Sequence, residues 1–233
     1  KRVRCQRNME NLGVFRNLDR VFELSTTPYF KWCAVGDLME ESFLERAVAV
    51  LEINRDVTGV YAKTKFFGSL TERANMNDMD VSLESPDPAV RYRTYLSAHG
   101  LNGPFHGLIR SEALARTSLN KGFKGSDLSM IAALLLQGAI VRLSEELLYR
   151  RIEPSTATSA KTPQELDEFF GENAVTVKKL STWKLEKQLI RDLIGAPVET
   201  STKFKIAPHL ARRLFWQRRE VFSELGRYLR KVP

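Results

Sequence analysis

The run Tyr29-Phe30-Lys31-Trp32-Cys33-Ala34-Val35, which ends at Gly36-Asp37, constrains this chain more than any other stretch. Its side chains lack the polar alternation of a strand with one wet face, so it predicts a central strand covered on both sides by helices. Gly36 lets the backbone turn and leaves Asp37 at the strand's carboxyl end. Ligands of open α/β sheets bind at that end, which makes Asp37 the first residue to suspect of chemistry. The competing reading gives Asp37 an ordinary task, capping a helix that begins after Leu38.

Strands and helices alternate around this run. Val3 and Cys5 alternate with basic residues between Lys1 and Arg7, the pattern of a short strand; Phe15, Leu18, Val21 and Phe22 then follow at helical spacing. Strand, helix and the Tyr29 run make a β-α-β unit, whose two strands should be parallel with a right-handed crossover. Beyond Asp37, a second helix carries Phe43, Leu44, Ala47, Val48 and Leu51 on one face, and Thr58 to Phe67 reads as another strand. Gly68 to Ser85 reads as a polar surface loop, Ala89 to His99 as a helix opened by Pro86 and Pro88, and Ser111 to Thr117 as a brief helix capped by Ser111. His106 reads as a turn histidine. Gly125-Ser126-Asp127 precedes a strongly apolar helix, Leu128 to Leu136, which Asp127 is placed to cap. Ala139 to Leu143 and Glu145 to Ile152 are extended, and a Ser/Thr-rich loop follows from Pro154 to Thr162. The alternation as a whole is the α/β signature.

Composition narrows the partners. At 233 residues and 43% apolar content the chain can bury a sizeable core, and no apolar run is long enough to span a bilayer. The opening residues lead from basic side chains straight into Asn8, Met9 and Glu10 with no apolar segment of the secretory kind, so a cytoplasmic location is expected. Cys5 and Cys33 are expected to be reduced, Cys33 as a small hydrophobe inside its strand. The net charge of +8 is concentrated at the end of the chain. There Arg212, Arg213, Arg218, Arg219, Arg227, Arg230 and Lys231 face only Glu220 and Glu224. With Leu210, Leu214, Phe222, Leu225 and Leu229 on one side, Ile206 to Lys231 suits an interfacial helix at the inner leaflet of an anionic membrane. The alternative is that this apolar side packs on the body and only the arginines are wet. Nucleic acid is set aside as a partner, because the basic residues sit on one terminal helix without interleaved exposed aromatics.

Three separated stretches resemble the bacterial family 2 glycosyltransferases that build cell-surface polysaccharide. Asn8 to Phe22 is similar to that family's asparagine-rich segment and following helix. Tyr29 to Leu51 resembles the strand that delivers its acidic motif. Leu108-Ile109-Arg110, Gly125-Ser126-Asp127 and Leu147 to Pro154 resemble the acceptor-side elements that follow in the same order. The resemblance implies a partial GT-A-like fold, a mostly parallel sheet flanked by helices. Residues 1–170 would form its domain and 171–233 a helical, basic extension.

It also implies a nucleotide-sugar donor, a saccharide or lipid-linked acceptor and a divalent metal, Mn2+ or Mg2+. In the roles it assigns, Asp37 and Glu153 are metal ligands and Asp127 is the general base. Asn8, Asn11, Asn17, Arg110, Arg150 and Arg151 hold the donor and its phosphates. A nucleoside diphosphate leaves only when its charge is met, and the attacking hydroxyl needs a carboxylate to take its proton. Gly36 and Val35 stand where the family usually has a further acid and a histidine, and its leading nucleotide-binding strands would precede Lys1. The expected transfer is therefore weak or lost, the alternative being a non-catalytic pseudoenzyme fragment or basic binding module.

Overall fold

A computed structural model describes residues 3–69, 79, 81–98, 102–153, 162, 165, 169–170 and 180–229. Its strands are β1 (Tyr29–Phe30), β2 (Leu38–Met39), β3 (Val57–Phe67), β4 (Leu108–Arg110) and β5 (Ala139–Arg151), in the sheet order β1-β4-β3-β5-β2. Its helices are α1 (Gly13–Glu23), α2 (Ser42–Ile53), α3 (Pro88–Ser97), α4 (Ser111–Ala115), α5 (Ser126–Gln137), α6 (Ser181–Gly195) and α7 (Thr200–Leu229). A 3-10 turn at Gly103–His106 leads into β4.

The α/β class is as read, but the sheet is mixed where a mostly parallel one was expected. β3 and β5 are parallel; β1 with β4, β4 with β3 and β2 with β5 are antiparallel. Alternation along β3 sends Val60 and Ala62 to one side, under Phe43, Ala47 and Leu51 of α2. Tyr61 goes to the other, into a core with Tyr92 and Tyr95 of α3, Ile131 and Leu135 of α5, Leu189 of α6 and Ile206 and Leu210 of α7. The final two helices thus share one core with the α/β body. Residues 171–179, where the expected boundary falls, lie outside the described residues.

β5 is irregular against its partner. Ala62 pairs with Leu143, Lys63 with Glu146 and Thr64 with Leu148, so β5 spends three more residues than β3 over the same span. This bulge precedes the segment that carries Arg150 and Arg151.

Four expectations need correction. Val3 to Arg7 is not a strand; Val3 is 80% exposed, so the segment buries no apolar face that could hold it in a ladder. The predicted parallel β-α-β therefore does not form. The Tyr29 run is not a central strand either: only Tyr29–Phe30 pairs, antiparallel and at the sheet's edge. Trp32 leaves the ladder to stack on Phe105 at 4.9 Å and to donate its indole N–H to Leu18 O, whereas Cys33 is exposed and Val35 is 97% exposed. In the segment read as a polar loop, Met79 and Leu83 are buried, and Leu83 bridges to Ile140. Lastly, α5 is not capped by Asp127. Gly125 holds that position with φ +92°, a conformation natural to glycine, and Asp127 lies in the first turn.

Candidate functional site

The carboxyl end of β5, the 3-10 turn, the start of α5 and helices α1, α6 and α7 surround a cleft of about 950 Å³. Asp127 and Arg150 both line it, as do His106 and Phe105. Asp127 lies in the first turn of α5, where the backbone N–H groups have no partner within the helix. Asn102 fixes the carboxylate by donating from Nδ2 to Asp127 Oδ2 at 3.0 Å. Asn102 is held in turn by Tyr95, whose hydroxyl donates to its Oδ1 at 3.0 Å. Burial pushes the Tyr95 hydroxyl well above its ordinary pKa, so it stays a donor.

Asp37 stands beside this cleft rather than in it. Gly36, at φ +93°, makes the turn that presents it, and a small pocket lined by Asp37, Lys31, His106 and Arg150 adjoins the larger space. Asp37 Oδ1 accepts the Arg151 backbone N–H at 3.0 Å, and Oδ2 lies 3.9 Å from Arg150 Nε. The Arg151 guanidinium lies over the Phe67 ring at 5.5 Å. Lys31 donates to the carbonyl of His106. Burial lowers the Lys31 ammonium's pKa. It drives the His106 ring well below the usual imidazole value, with help from the charges of Arg150 and Lys31, so the ring is neutral. The far wall is held by an ion pair, Arg213 Nε to Glu186 Oε1 at 2.8 Å. Glu224 accepts from the backbone N–H of Thr182 at 3.1 Å and of Trp183 at 3.3 Å, at the start of α6.

Other predicted site residues lie elsewhere. Arg110 is buried at the opposite end of β3 from the cleft. Its guanidinium donates to Val57 O at 2.7 Å, to Asn54 O at 3.1 Å and to Leu51 O, closing the carboxyl end of α2. That position corrects its assignment to the donor's phosphates. Asn8 donates to Asn17 Oδ1 at 2.9 Å and Asn11 accepts from Gly13 N at 2.9 Å. The three asparagines therefore brace the entry to α1, and none of them lines the cleft.

The metal expected from the resemblance does not find a ready donor set. Asp37 is engaged by Arg150 and Arg151, and Glu153 accepts from the Ser69 hydroxyl at 2.5 Å. Among the described residues no three His, Cys, Asp or Glu side chains gather as a metal site would need.

Sequence reasoning missed Asn102, Lys31 and the Glu186–Arg213 pair. Only Lys31 left a signal, a lone cation within an apolar run. The others are long-range contacts with no local pattern.

The mixed sheet flanked by helices matches a glycosyltransferase-like fold. Solved structures of S. aureus TarS (residues 1–349) share it. The complex with UDP-GlcNAc superposes with a TM-score of 0.55 at 13% identity, covering 96% of this chain and 63% of that one. The complex with UDP gives 0.54 at 13% identity, covering 91% and 55%. This chain thus spans somewhat more than half the length of the TarS chains it matches. No family model and no curated protein matches it.

Proposed function

We propose that this chain is a glycosyltransferase of the family 2 kind, which moves a sugar from a uridine-diphosphate donor to a saccharide or lipid-linked acceptor of cell-surface polysaccharide. One observation carries the reading: a carboxylate held by a neutral amide, Asp127 on Asn102, faces the same cleft as a guanidinium, Arg150. The binding of UDP and UDP-GlcNAc by TarS, which shares the fold, supports the choice of donor. Asp127 takes the proton of the acceptor hydroxyl as its oxygen attacks the donor's anomeric carbon. Arg150 meets the negative charge that grows on the departing diphosphate. Asn102 fixes the carboxylate oxygen it binds and leaves the other available for the proton. Asp37 orients Arg150, and no step is routed through a metal. Phe105 and His106 line the cleft beside Arg150.

The test is UDP binding and UDP release by the purified chain given UDP-GlcNAc and a saccharide acceptor, repeated with Arg150→Ala and Asp127→Asn. The expected result is UDP binding that weakens in Arg150→Ala, and slow release that disappears in Asp127→Asn. Absence of UDP binding by the unaltered chain, or binding indifferent to Arg150→Ala, overturns the reading. Binding without release leaves a non-catalytic nucleotide-sugar binder, the second form this site can take.

A further inference from the structure

Helix α7 was expected to present Leu210, Leu214, Phe222, Leu225 and Leu229 as one apolar side, but its packing divides that set. Leu210 is buried on the body, together with Ile206 and Val221, whereas Phe222 and Leu229 point outward at 70% and 68% exposure. They join an outer line the leucine spacing did not suggest: Phe204, Phe215, Phe222 and Leu229, at intervals of eleven, seven and seven residues. Those intervals are close to whole helical turns, so the four side chains lie along one ridge about 38 Å long. Phe204 is 73% and Phe215 59% exposed, and Trp216 beside them is 68% exposed.

Charge follows the same division. The acids of α7 are Glu220, which borders the cleft, and Glu224, which is turned inward to the start of α6. The outer side carries arginines, two of them laid on its rings: Arg218 lies 3.9 Å from the Phe215 centroid and Arg212 5.1 Å from that of Trp216. Exposed aromatics do therefore interleave with basic residues, which removes the ground on which nucleic acid was set aside.

We propose that this outer ridge of α7 docks on an anionic lipid bilayer, aromatic rings entering the headgroup boundary and arginines meeting lipid phosphates. Charge decides among the occupants. A second copy of the chain would bring Arg218 and its neighbours against their own counterparts, at a net charge of +8 on each copy. A single nucleic-acid strand needs bare ring faces in a groove, whereas these rings project from a convex helix and two already carry guanidinium groups. A bilayer satisfies both features at once, because apolar side chains and cations partition to adjacent depths of its interface. The inference does not depend on the sugar-transfer reading.

Flotation of the whole chain with phosphatidylcholine vesicles, with and without phosphatidylglycerol, tests it. Two variants accompany the unaltered chain, Phe204→Ser/Phe215→Ser/Phe222→Ser and Arg212→Gln/Arg218→Gln/Arg219→Gln. All six sites lie on or beside the outer ridge, and thermal melts verify that each variant keeps the fold. The expected result is flotation only with anionic vesicles, about fivefold weaker for each arginine removed, nearly abolished by the serine variant, and accompanied by a blue shift of Trp216 emission that Trp216→Phe eliminates. Absence of flotation, or equal flotation of all three proteins, overturns the proposal. So does ring-dependent binding of a single-stranded oligonucleotide without flotation, or a dimer in solution that the serine variant dissolves.

Discussion

Arg110 and Arg150 stand at opposite ends of the parallel pair β3 and β5, and they put the same functional group to different uses. Arg110 is sealed under α2, with its N–H groups spent on the backbone carbonyls of Leu51, Asn54 and Val57. Arg150 lies at the rim of a cleft, its side chain 21% exposed and its Nε 3.9 Å from a carboxylate. At the amino end of β3, a cation completes a helix that ends without a glycine cap. At the carboxyl end, the corresponding cation borders a space large enough for a ligand. An arginine's neighbours, rather than its place in a motif, decide whether it builds the fold or serves a site.

The largest effect should separate chemistry from stability. Asp127→Asn is expected to reduce transfer about 10²- to 10⁴-fold while leaving the melting temperature close to that of the unaltered chain; UDP release and a thermal melt measure the two. Arg110→Leu should do the opposite, destabilising the fold by about 3 kcal/mol through carbonyls left without their donor. Arg150→Leu should stay within about 0.5 kcal/mol. Urea denaturation of this pair breaks the comparison if the two arginines cost the same.

The cleft end should also carry a pH signature that the sealed end lacks. The folded state holds His106 neutral, its pKa well below the ordinary value near 6.5, so the unfolded chain binds a proton that the folded chain refuses. Stability from this source is present above about pH 6.5 and is lost as the pH falls, by at most about 1.4 kcal/mol per pH unit. His106→Gln should flatten that slope in urea titrations between pH 7 and pH 5. The smallest effect lies far from both arginines. Asp87 caps α3 by accepting from Ala89 N at 2.8 Å and also ties Lys205 of α7 at 3.0 Å. Asp87→Ala should cost about 1 kcal/mol, nearly all of it from the lost cap.

What the sequence disclosed follows from the range of the interactions involved. Phe43, Ala47 and Leu51 announce the inner face of α2 because a helix repeats locally, and the apolar length of Thr58 to Phe67 announces β3 for the same reason. The Tyr29 run misled because continuity of apolar residues cannot distinguish a central strand from a segment that pairs briefly and then anchors one tryptophan on Phe105. Asp127 was legible at the start of an apolar helix, but Asn102, which holds it, comes from a separate turn. Arg110 passed for a phosphate ligand because its partners lie more than fifty residues away in sequence. On α7, several spacings were compatible with a helix, and only contact with the body decided which of them turned outward.

The bulge in β5 carries a further consequence, for the reading frame of the strand. Leu143 pairs with Ala62 and Leu148 with Thr64, so the residues between them determine which side of the sheet each later side chain faces. Parity governs the outcome, since side chains alternate with a period of two. Deleting Ser144 alone would turn Leu147 through Arg151 over, sending Leu147 and Arg151 to the side that Leu148 and Arg150 now face and turning Arg150 away from the cleft. Deleting Ser144 and Glu145 together would restore the alternation and sacrifice only an exposed ion pair with Arg46. A lineage could therefore shorten this strand by two residues far more readily than by one.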